Sequence, residues 1–234
     1  MTTGSQRYRE LEFGVRSVQV RDAGEGVLHI QSDVELRPYA ERMTDKLVHW
    51  ARATPDATFM AQRERLADGA TGEWRHVSFA RMLDRARRIG QALVDRGLDE
   101  QRPVVILSEN HLDHAALAMG CLYAGVPYCS VSAAYSLVST DYAKLRHVVE
   151  TLTPGMIFAQ DAARYARAVA AVLPEGCEVV YADTSDADGA FTAFADLLAT
   201  EPTAAVDAAM QATGPDTITK FLFTSGSTKL PKAV

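Results

Sequence analysis

Residues 218–234 read ITKFLFTSGSTKLPKAV, and the rest of the chain is interpreted from this segment. It opens with a short apolar run rich in aromatic side chains, which is typical of a buried strand. Pro231 stiffens the exit from the bend that follows, and Lys232 adds a mobile positive charge. The bend itself consists of small residues that turn the chain sharply and direct hydrogen-bond donors toward one point, namely Thr224, Ser225, Gly226, Ser227 and Thr228.

Donors clustered beside an ammonium group suit a polyphosphate ligand. The Walker loop, G-x-x-x-x-G-K-[ST], is the natural comparison, but it fails at two positions when aligned on Gly226 and Lys232. Pro231 stands where its second glycine belongs, and Ala233 stands where its magnesium-binding hydroxyl belongs. The loop is therefore predicted to bind phosphate without being a Walker loop. The alternative is a polar turn that binds no ligand.

Upstream of this loop, single hydrophobic runs alternate with segments of helical spacing. That alternation is typical of parallel strands whose two faces are covered by helices. The fold class is therefore predicted to be α/β, with mostly parallel sheets flanked by helices. Ligands in such sheets bind at the carboxyl ends of the strands, where the phosphate loop is expected. The pattern predicts strands at 103–107, 128–131, 156–159 and 177–182, and helices at 111–124, 139–152, 161–173 and 191–199.

The first part of the chain differs in pattern. Residues 1–37 are predicted to form a β-rich N-terminal extension with a hairpin turn at 22–26, and residues 38–234 to form a second domain. In that domain, Thr44 or Asp45 is expected to cap a helix, and Ser78 a longer one. Residues 200–216 are interpreted as a linker. The arginines of the longer helix are expected to form a solvated face: Arg81, Arg85, Arg87, Arg88 and Arg96.

The charge, the apolar runs and the cysteine and histidine positions limit the classes of partner, location and site that are expected. The net charge is −6, without a basic stripe, so nucleic acid is not expected as a partner. No apolar run is long enough to span a bilayer, and the start MTTGSQRYRE has no apolar signal core, so a cytoplasmic location is predicted. The three cysteines form no C-x-x-C pair and are expected to be reduced thiols. His111 and His114 could share a helix face, but no ligand set is complete around them, so no metal site is predicted.

The run Thr224–Thr228, followed by Pro231 and Lys232, resembles the signature of the adenylate-forming (AMP-binding) superfamily, T-S-G-[ST]-T-G-x-P-K-G. Its members include acyl-CoA and aryl-CoA synthetases, peptide-synthetase adenylation domains and luciferases. Two positions depart from the pattern, because Lys229 and Ala233 stand where the family has glycine. If the first glycine has a positive φ, a lysine there costs on the order of 1 kcal/mol. Lys229 could instead add a second phosphate contact.

Other stretches extend the resemblance over about residues 40–234, with the N-terminal extension also similar. Residues 122–128, LYAGVPY, are similar to the family's L-K-A-G-[AG]-x-[YF] element, and 131–139, 144–147 and 152–155 look most like feruloyl-CoA synthases. The resemblance implies an ATP-dependent aryl-CoA ligase, an acid–thiol ligase of phenylpropanoid degradation. It further implies ATP, Mg²⁺ and CoA as cofactors and an aromatic carboxylate such as ferulate as substrate, and it allows a homo-oligomer.

The same resemblance implies roles for the loop residues. Thr224, Ser225, Gly226, Ser227 and Thr228 would wrap the β- and γ-phosphates, and Lys232 would be the catalytic electrostatic clamp. The family's acyl pocket, magnesium-binding acid, ribose-binding aspartate and lid lysine lie beyond Val234. We therefore expect the N-terminal portion of an AMP-binding domain, without its C-terminal half and lid domain, inactive alone and prone to self-association. The alternative is a non-catalytic module that keeps the fold without the chemistry.

Overall fold

A computed structural model of the chain describes residues 17–66, 69–224 and 230–234. The chain divides between Tyr39 and Ala40 into two compact units, each with its own internal contacts. Within the described ranges, no helix is both long enough and apolar enough to cross a membrane.

The first unit contains a β-hairpin. Strand β1 (Val18–Gly24) pairs antiparallel with β2 (Val27–Ser32). The turn between them places Glu25 at φ 53° and Gly26 at φ 77°, a left-handed backbone that glycine adopts without strain. The hairpin predicted around residues 22–26 is therefore confirmed.

The second unit opens with a helix, an antiparallel strand pair and a long helix. These are α1 (Met43–Ala53), β3 (Thr58–Arg65), β4 (Thr71–Ser78) and α2 (Phe79–Asp95). The Ser78 hydroxyl accepts a hydrogen bond from the Arg81 backbone N–H, 3.3 Å away, so the predicted cap of α2 is confirmed.

The predicted cap of α1 is wrong by two or three positions. The helix begins after Arg42, and Thr44 is a buried residue of its first turn. The Asp45 carboxylate instead accepts a hydrogen bond from the Arg42 backbone N–H at 3.1 Å. A carboxylate in the first turn satisfies one of the donors that a helix start leaves unpaired, which explains why the sequence pattern resembled a cap.

A five-stranded parallel sheet forms the centre of this unit. Its strands lie in the order β6-β5-β7-β8-β9, and every neighbouring pair is parallel. The predicted α/β fold class is confirmed. The elements of this region are β5 (Val104–Leu107), α3 (Leu112–Ala124), β6 (Tyr128–Val131), α4 (Ala134–Leu137), α5 (Ala143–Leu152), β7 (Met156–Asp161), α6 (Ala162–Val172), β8 (Glu178–Asp183) and β9 (Thr192–Ala193).

Two hydrophobic cores cover the two faces of this sheet. On one face, alternate residues of the central strands such as Ile106 and Phe158 pack with α2 and α3. On the other face, their neighbours such as Leu107 and Ile157 pack with α5 and α6. All four of these strand side chains are fully buried. Successive side chains of a strand point to opposite faces of the sheet. Because both faces are buried here, apolar residues are required at every position, and this explains the unbroken hydrophobic runs.

The last elements correct the predicted linker. They are α7 (Phe194–Ala199), α8 (Ala204–Ala212), β10 (Phe223–Thr224) and β11 (Lys232–Ala233). Residues 204–212, AAVDAAMQA, form a helix, and Val206 is fully buried in the core that contains α2 and α3. The Thr203 hydroxyl caps α8 by accepting from the Ala205 N–H at 3.1 Å.

The arginines of α2 also correct a prediction, because four of them, Arg85, Arg87, Arg88 and Arg96, form ion pairs rather than a solvated face. Arg88 pairs with Asp84 on α2 and with Glu201 in the segment before α8. Arg96 pairs with Glu178 at the start of β8, with 2.7 Å between Nε and Oε2. The pairs with Glu201 and Glu178 tie α2 to segments that follow it in the chain by many residues.

Candidate functional site

Residues 219–221, which precede the predicted phosphate loop, lie along the open edge of the parallel sheet. Lys220 forms a parallel bridge with Tyr128 of β6. The Tyr128 N–H donates to the Thr219 carbonyl at 3.4 Å, and the Phe221 N–H donates to the Tyr128 carbonyl at 2.9 Å. The segment therefore runs in the direction of β6, and Thr224 follows at its carboxyl end, the side on which parallel sheets generally bind ligands.

A two-stranded hairpin then brings the ends of the loop together. β10 and β11 pair antiparallel with Thr224 opposite Lys232 and Phe223 opposite Ala233. Leu222 and Val234 exchange backbone hydrogen bonds of 2.8 Å each. The Thr224 hydroxyl donates to the Lys232 carbonyl at 3.4 Å. Two residues that are eight positions apart in the sequence are thus held in register at the base of the loop.

The described part of the loop contains two of the six predicted site residues. Thr224 and Lys232 are both exposed. An exposed ammonium opposite a hydroxyl can contact an anionic ligand without first breaking a buried ion pair. The other four predicted residues, and the unusual lysine beside them, lie outside the described residues: Ser225, Gly226, Ser227, Thr228 and Lys229. Their predicted role in phosphate binding stays a prediction.

A histidine on α5 contacts both arms of this hairpin. The His147 Nε2 atom lies 2.8 Å from the Pro231 carbonyl oxygen. The His147 ring also meets the Phe223 ring edge-on, with centroids 6.2 Å apart and an interplanar angle of 84°. Pro231 itself is buried. No local sequence pattern indicates this contact, because residues 147 and 231 are far apart in the chain and only the fold brings them together.

A shallow recess lies beside the second arm. It has a volume of about 600 Å³ and is lined by His147, Thr151, Leu230, Pro231, Lys232 and Ala233. Lys232 therefore stands at the rim of an open space rather than against packed protein. This position leaves room for a ligand that is bulkier than a single phosphate group.

The two histidines weighed as metal ligands have ordinary structural partners. The His111 Nδ1 atom caps α3 by accepting from the Asp113 N–H at 3.2 Å. The His114 Nε2 atom lies 2.9 Å from the Ser130 hydroxyl, and its Nδ1 atom lies 3.3 Å from the Glu109 carbonyl. Burial lowers the pKa of both rings. Among the residues that the structure describes, no three histidine, cysteine, aspartate or glutamate side chains are grouped to hold a metal ion.

The cysteines are free thiols. Cys121 and Cys129 are buried, and Cys177 is half-buried. Burial raises the pKa of Cys129 to about 12 and the pKa of Cys177 to about 11. Thiols with raised pKa values are poor nucleophiles at neutral pH.

Several solved structures share the fold of this chain. The structure of McyG A-PCP complexed with phenylalanyl-adenylate has a TM-score of 0.61 and 18% identity over 86% of this chain and 33% of its own. Fatty acyl-adenylate ligase from L. pneumophila, in complex with acyl adenylate and pyrophosphate, has a TM-score of 0.57 and 17% identity over 83% of this chain and 30% of its own.

A putative long-chain-fatty-acid CoA ligase from Rhodopseudomonas palustris CGA009 has a TM-score of 0.53 and 22% identity, over 69% of this chain and 37% of its own. The chain spans less than half the length of each of these three proteins. No curated protein matches the sequence. Residues 47–234 match the family model described as AMP-binding enzyme. Because this match covers most of the sequence, the chain belongs to the AMP-binding enzyme family.

Proposed function

We propose that this chain is the triphosphate-binding part of an ATP-dependent ligase that activates an aromatic carboxylate, such as ferulate, for transfer to CoA. The observation that carries the proposal is the pairing of Thr224 with Lys232 at the end of a segment that extends the parallel sheet. Membership of the AMP-binding enzyme family supports the proposal that the ligand is an adenine nucleotide. Solved structures of the same fold contain an acyl adenylate and a phenylalanyl-adenylate.

The loop residues would hold the β- and γ-phosphates of ATP. Lys232 is exposed at the base of the loop, where its ammonium can neutralise negative charge. The hydroxyls of the bend and its backbone N–H groups would supply the remaining donors from Thr224, Ser225, Gly226, Ser227 and Thr228.

A bound Mg²⁺ would supply further positive charge at the phosphates. The groups described at this site are the Thr224 hydroxyl and the Lys232 ammonium, which are hydrogen-bond donors to phosphate oxygens. The proposed contribution of this chain to the reaction is therefore phosphate binding.

The proposed reaction has two steps. A carboxylate oxygen of the acid attacks the α-phosphorus of ATP, and the bond to the bridging oxygen breaks, which gives an acyl-adenylate and pyrophosphate. The CoA thiol, having lost its proton, then attacks the acyl carbonyl, and AMP leaves. Lys232 would contribute to the first step, because negative charge accumulates on the departing pyrophosphate and a preorganised cation stabilises it.

An aromatic acid and CoA are proposed from a sequence resemblance and from a solved structure of the same fold. Residues 131–139, 144–147 and 152–155 resemble feruloyl-CoA synthases, and a solved structure of this fold is named a putative long-chain-fatty-acid CoA ligase. The free cysteines suit a reducing compartment, so the proposal includes a cytoplasmic location.

A second candidate is a non-catalytic module that keeps the fold. The observation that favours it is Lys229, which occupies a position where the family signature has glycine. A bulky side chain at a backbone position that needs a positive φ would disturb the loop.

The test is ATP–pyrophosphate exchange by the complete protein that carries this chain, with a panel of carboxylic acids. We expect exchange that depends on added acid, with ferulate and other hydroxycinnamates ahead of fatty acids and amino acids. Exchange with fatty acids alone would overturn the aryl substrate, and no exchange with any acid would favour the non-catalytic module. Release of AMP on addition of CoA then tests the acceptor.

A further inference from the structure

We propose that His147 is a positioning residue for the phosphate loop, and that it fixes the arm that carries Lys232. This inference rests on the proposed function of the loop, since positioning matters only if Lys232 binds phosphate. His147 lies on α5, an element outside the loop and its hairpin, and it is half-buried between that helix and the hairpin.

One imidazole ring contacts both arms. Its Nε2 atom is 2.8 Å from the carbonyl oxygen of Pro231, the residue directly before Lys232. Its ring edge meets Phe223, the residue directly before Thr224. The two contacts therefore fall one residue before each of the two described members of the candidate site. A single side chain thus constrains the spacing of the two ends of the loop.

The chemistry of the contact identifies which nitrogen carries the proton. A carbonyl oxygen only accepts hydrogen bonds, so the His147 Nε2 atom must be protonated and must donate. This bond uses one lone pair of the Pro231 carbonyl oxygen. Pro231 has no backbone N–H, so it cannot donate a hydrogen bond to a neighbouring strand. The arm before Lys232 therefore depends on a donor from outside the hairpin.

The contact explains how a flexible side chain can act at a defined place. The lysine side chain is a flexible four-carbon stem. The position of its ammonium group therefore depends on how well the backbone that carries it is held. β11 is only two residues long, and a short two-stranded hairpin is marginal without packing from another element. The histidine supplies that packing together with a hydrogen bond, and a preorganised cation contributes more to the reaction than one that must be ordered at each turnover.

Two substitutions separate the hydrogen bond from the ring. His147→Phe keeps an aromatic ring against Phe223 and removes the donor. His147→Gln places an amide N–H near the position of Nε2 and removes the ring. His49→Phe is the matched control, because His49 is an exposed histidine on α1.

The first measurement is ATP–pyrophosphate exchange by the complete protein. Loss of one hydrogen bond weakens what it holds by about two- to twelvefold. We expect His147→Phe to lower kcat/KM for ATP by about that factor, His147→Gln to recover part of the loss, and His49→Phe to match the wild type. An unchanged kcat/KM in His147→Phe, or an equal loss in His49→Phe, would overturn the proposal.

The second measurement does not depend on activity. Hydrogen–deuterium exchange of peptides covering residues 221–234 reports how firmly the hairpin is held. We expect faster exchange in His147→Phe, with the peptides of β5 and β7 unchanged. Uniformly faster exchange would show a general loss of stability and would overturn a local role. If the wild type exchanges no pyrophosphate with any acid, the proposed function fails, while this second measurement still tests the contact of His147 with the loop.

Discussion

The Arg87 guanidinium and the Asp207 carboxylate form a two-pronged ion pair that joins α2 to α8. Arg87 Nε lies 3.0 Å from Asp207 Oδ1, and Arg87 Nη2 lies 2.6 Å from Asp207 Oδ2. The Tyr123 hydroxyl of α3 donates to the same Oδ1 atom at 2.8 Å. The hydrogen bonds from Arg87, above all, hold the pKa of Asp207 below its usual range. One carboxylate thus connects three helices.

Replacing Asp207 should loosen α8. We expect Asp207→Asn to lower the free energy of unfolding by about 1 kcal/mol, because two charge-assisted bonds weaken at a partly exposed site where water screens the charges. Urea denaturation of the chain measures the change. Asp56→Asn, in an exposed turn, is the control and should be near neutral. Equal stability of the two variants would contradict the role given to the ion pair.

Glu178 should make stability depend on pH. Burial by itself would raise its pKa, but hydrogen bonds from Arg96 and Thr192 outweigh burial, and the pKa is lowered overall. A carboxyl with a depressed pKa in the folded state stabilises the protein above its unfolded pKa, near 4.5, and this stabilisation is lost as the pH falls through the folded value.

The wild-type advantage over Glu178→Gln should therefore be present at pH 6 and should shrink at progressively lower pH, below about pH 4.5. Urea unfolding of both proteins across this range measures the difference. An advantage that stayed constant down to pH 3 would show that the carboxylate charge is not what matters at this position.

Gly120 allows α2 and α3 to approach closely. A Cβ added there would lie 2.4 Å from Ile89 Cγ2 and 2.7 Å from Ile89 Cβ. Ile89 is fully buried and cannot move aside easily. Overpacking costs about 1–3 kcal/mol, which outweighs the helix propensity of about 1 kcal/mol that alanine gains over glycine.

We therefore expect Gly120→Ala to lower the thermal midpoint of unfolding by several degrees. Gly214→Ala is the matched control, because a Cβ there meets nothing within 4 Å, and it should have little effect. The double variant Gly120→Ala with Ile89→Ala should cost less than the sum of the single changes. Strict additivity would show that the two side chains do not compete for the same space.

The fold could be predicted from the sequence where burial leaves a strong pattern. Strands β5 and β7 are apolar at every core position, and Gly125 ends α3 with φ 71°, as its place after a helical pattern indicated. Helix α8 was missed because Pro202, Gly214 and Pro215 suggested a linker, whereas they flank a helix that is held by Val206 and Asp207.

The strand order and the contacts of the site depend on long-range packing that no local pattern encodes. Thr224 and Lys232 could be singled out from the composition of the sequence around them. The proximity of His147 to Pro231 could not, since it arises only when α5 packs on the sheet face beneath the hairpin. The arginines of α2 show this too. The sequence pattern of a charged helix face is the same whether its side chains contact water or carboxylates that are distant in the chain.

The role of Lys232 in triphosphate binding is tested by ATP–pyrophosphate exchange with Lys232→Ala in the complete protein, compared with Lys46→Ala on the exposed side of α1. Removing a preorganised charge donor typically lowers the rate by about 10²–10³. We expect a loss of this size for Lys232→Ala and wild-type exchange for Lys46→Ala, with both variants folded. Wild-type exchange by Lys232→Ala would contradict the assignment of the hairpin as a triphosphate site.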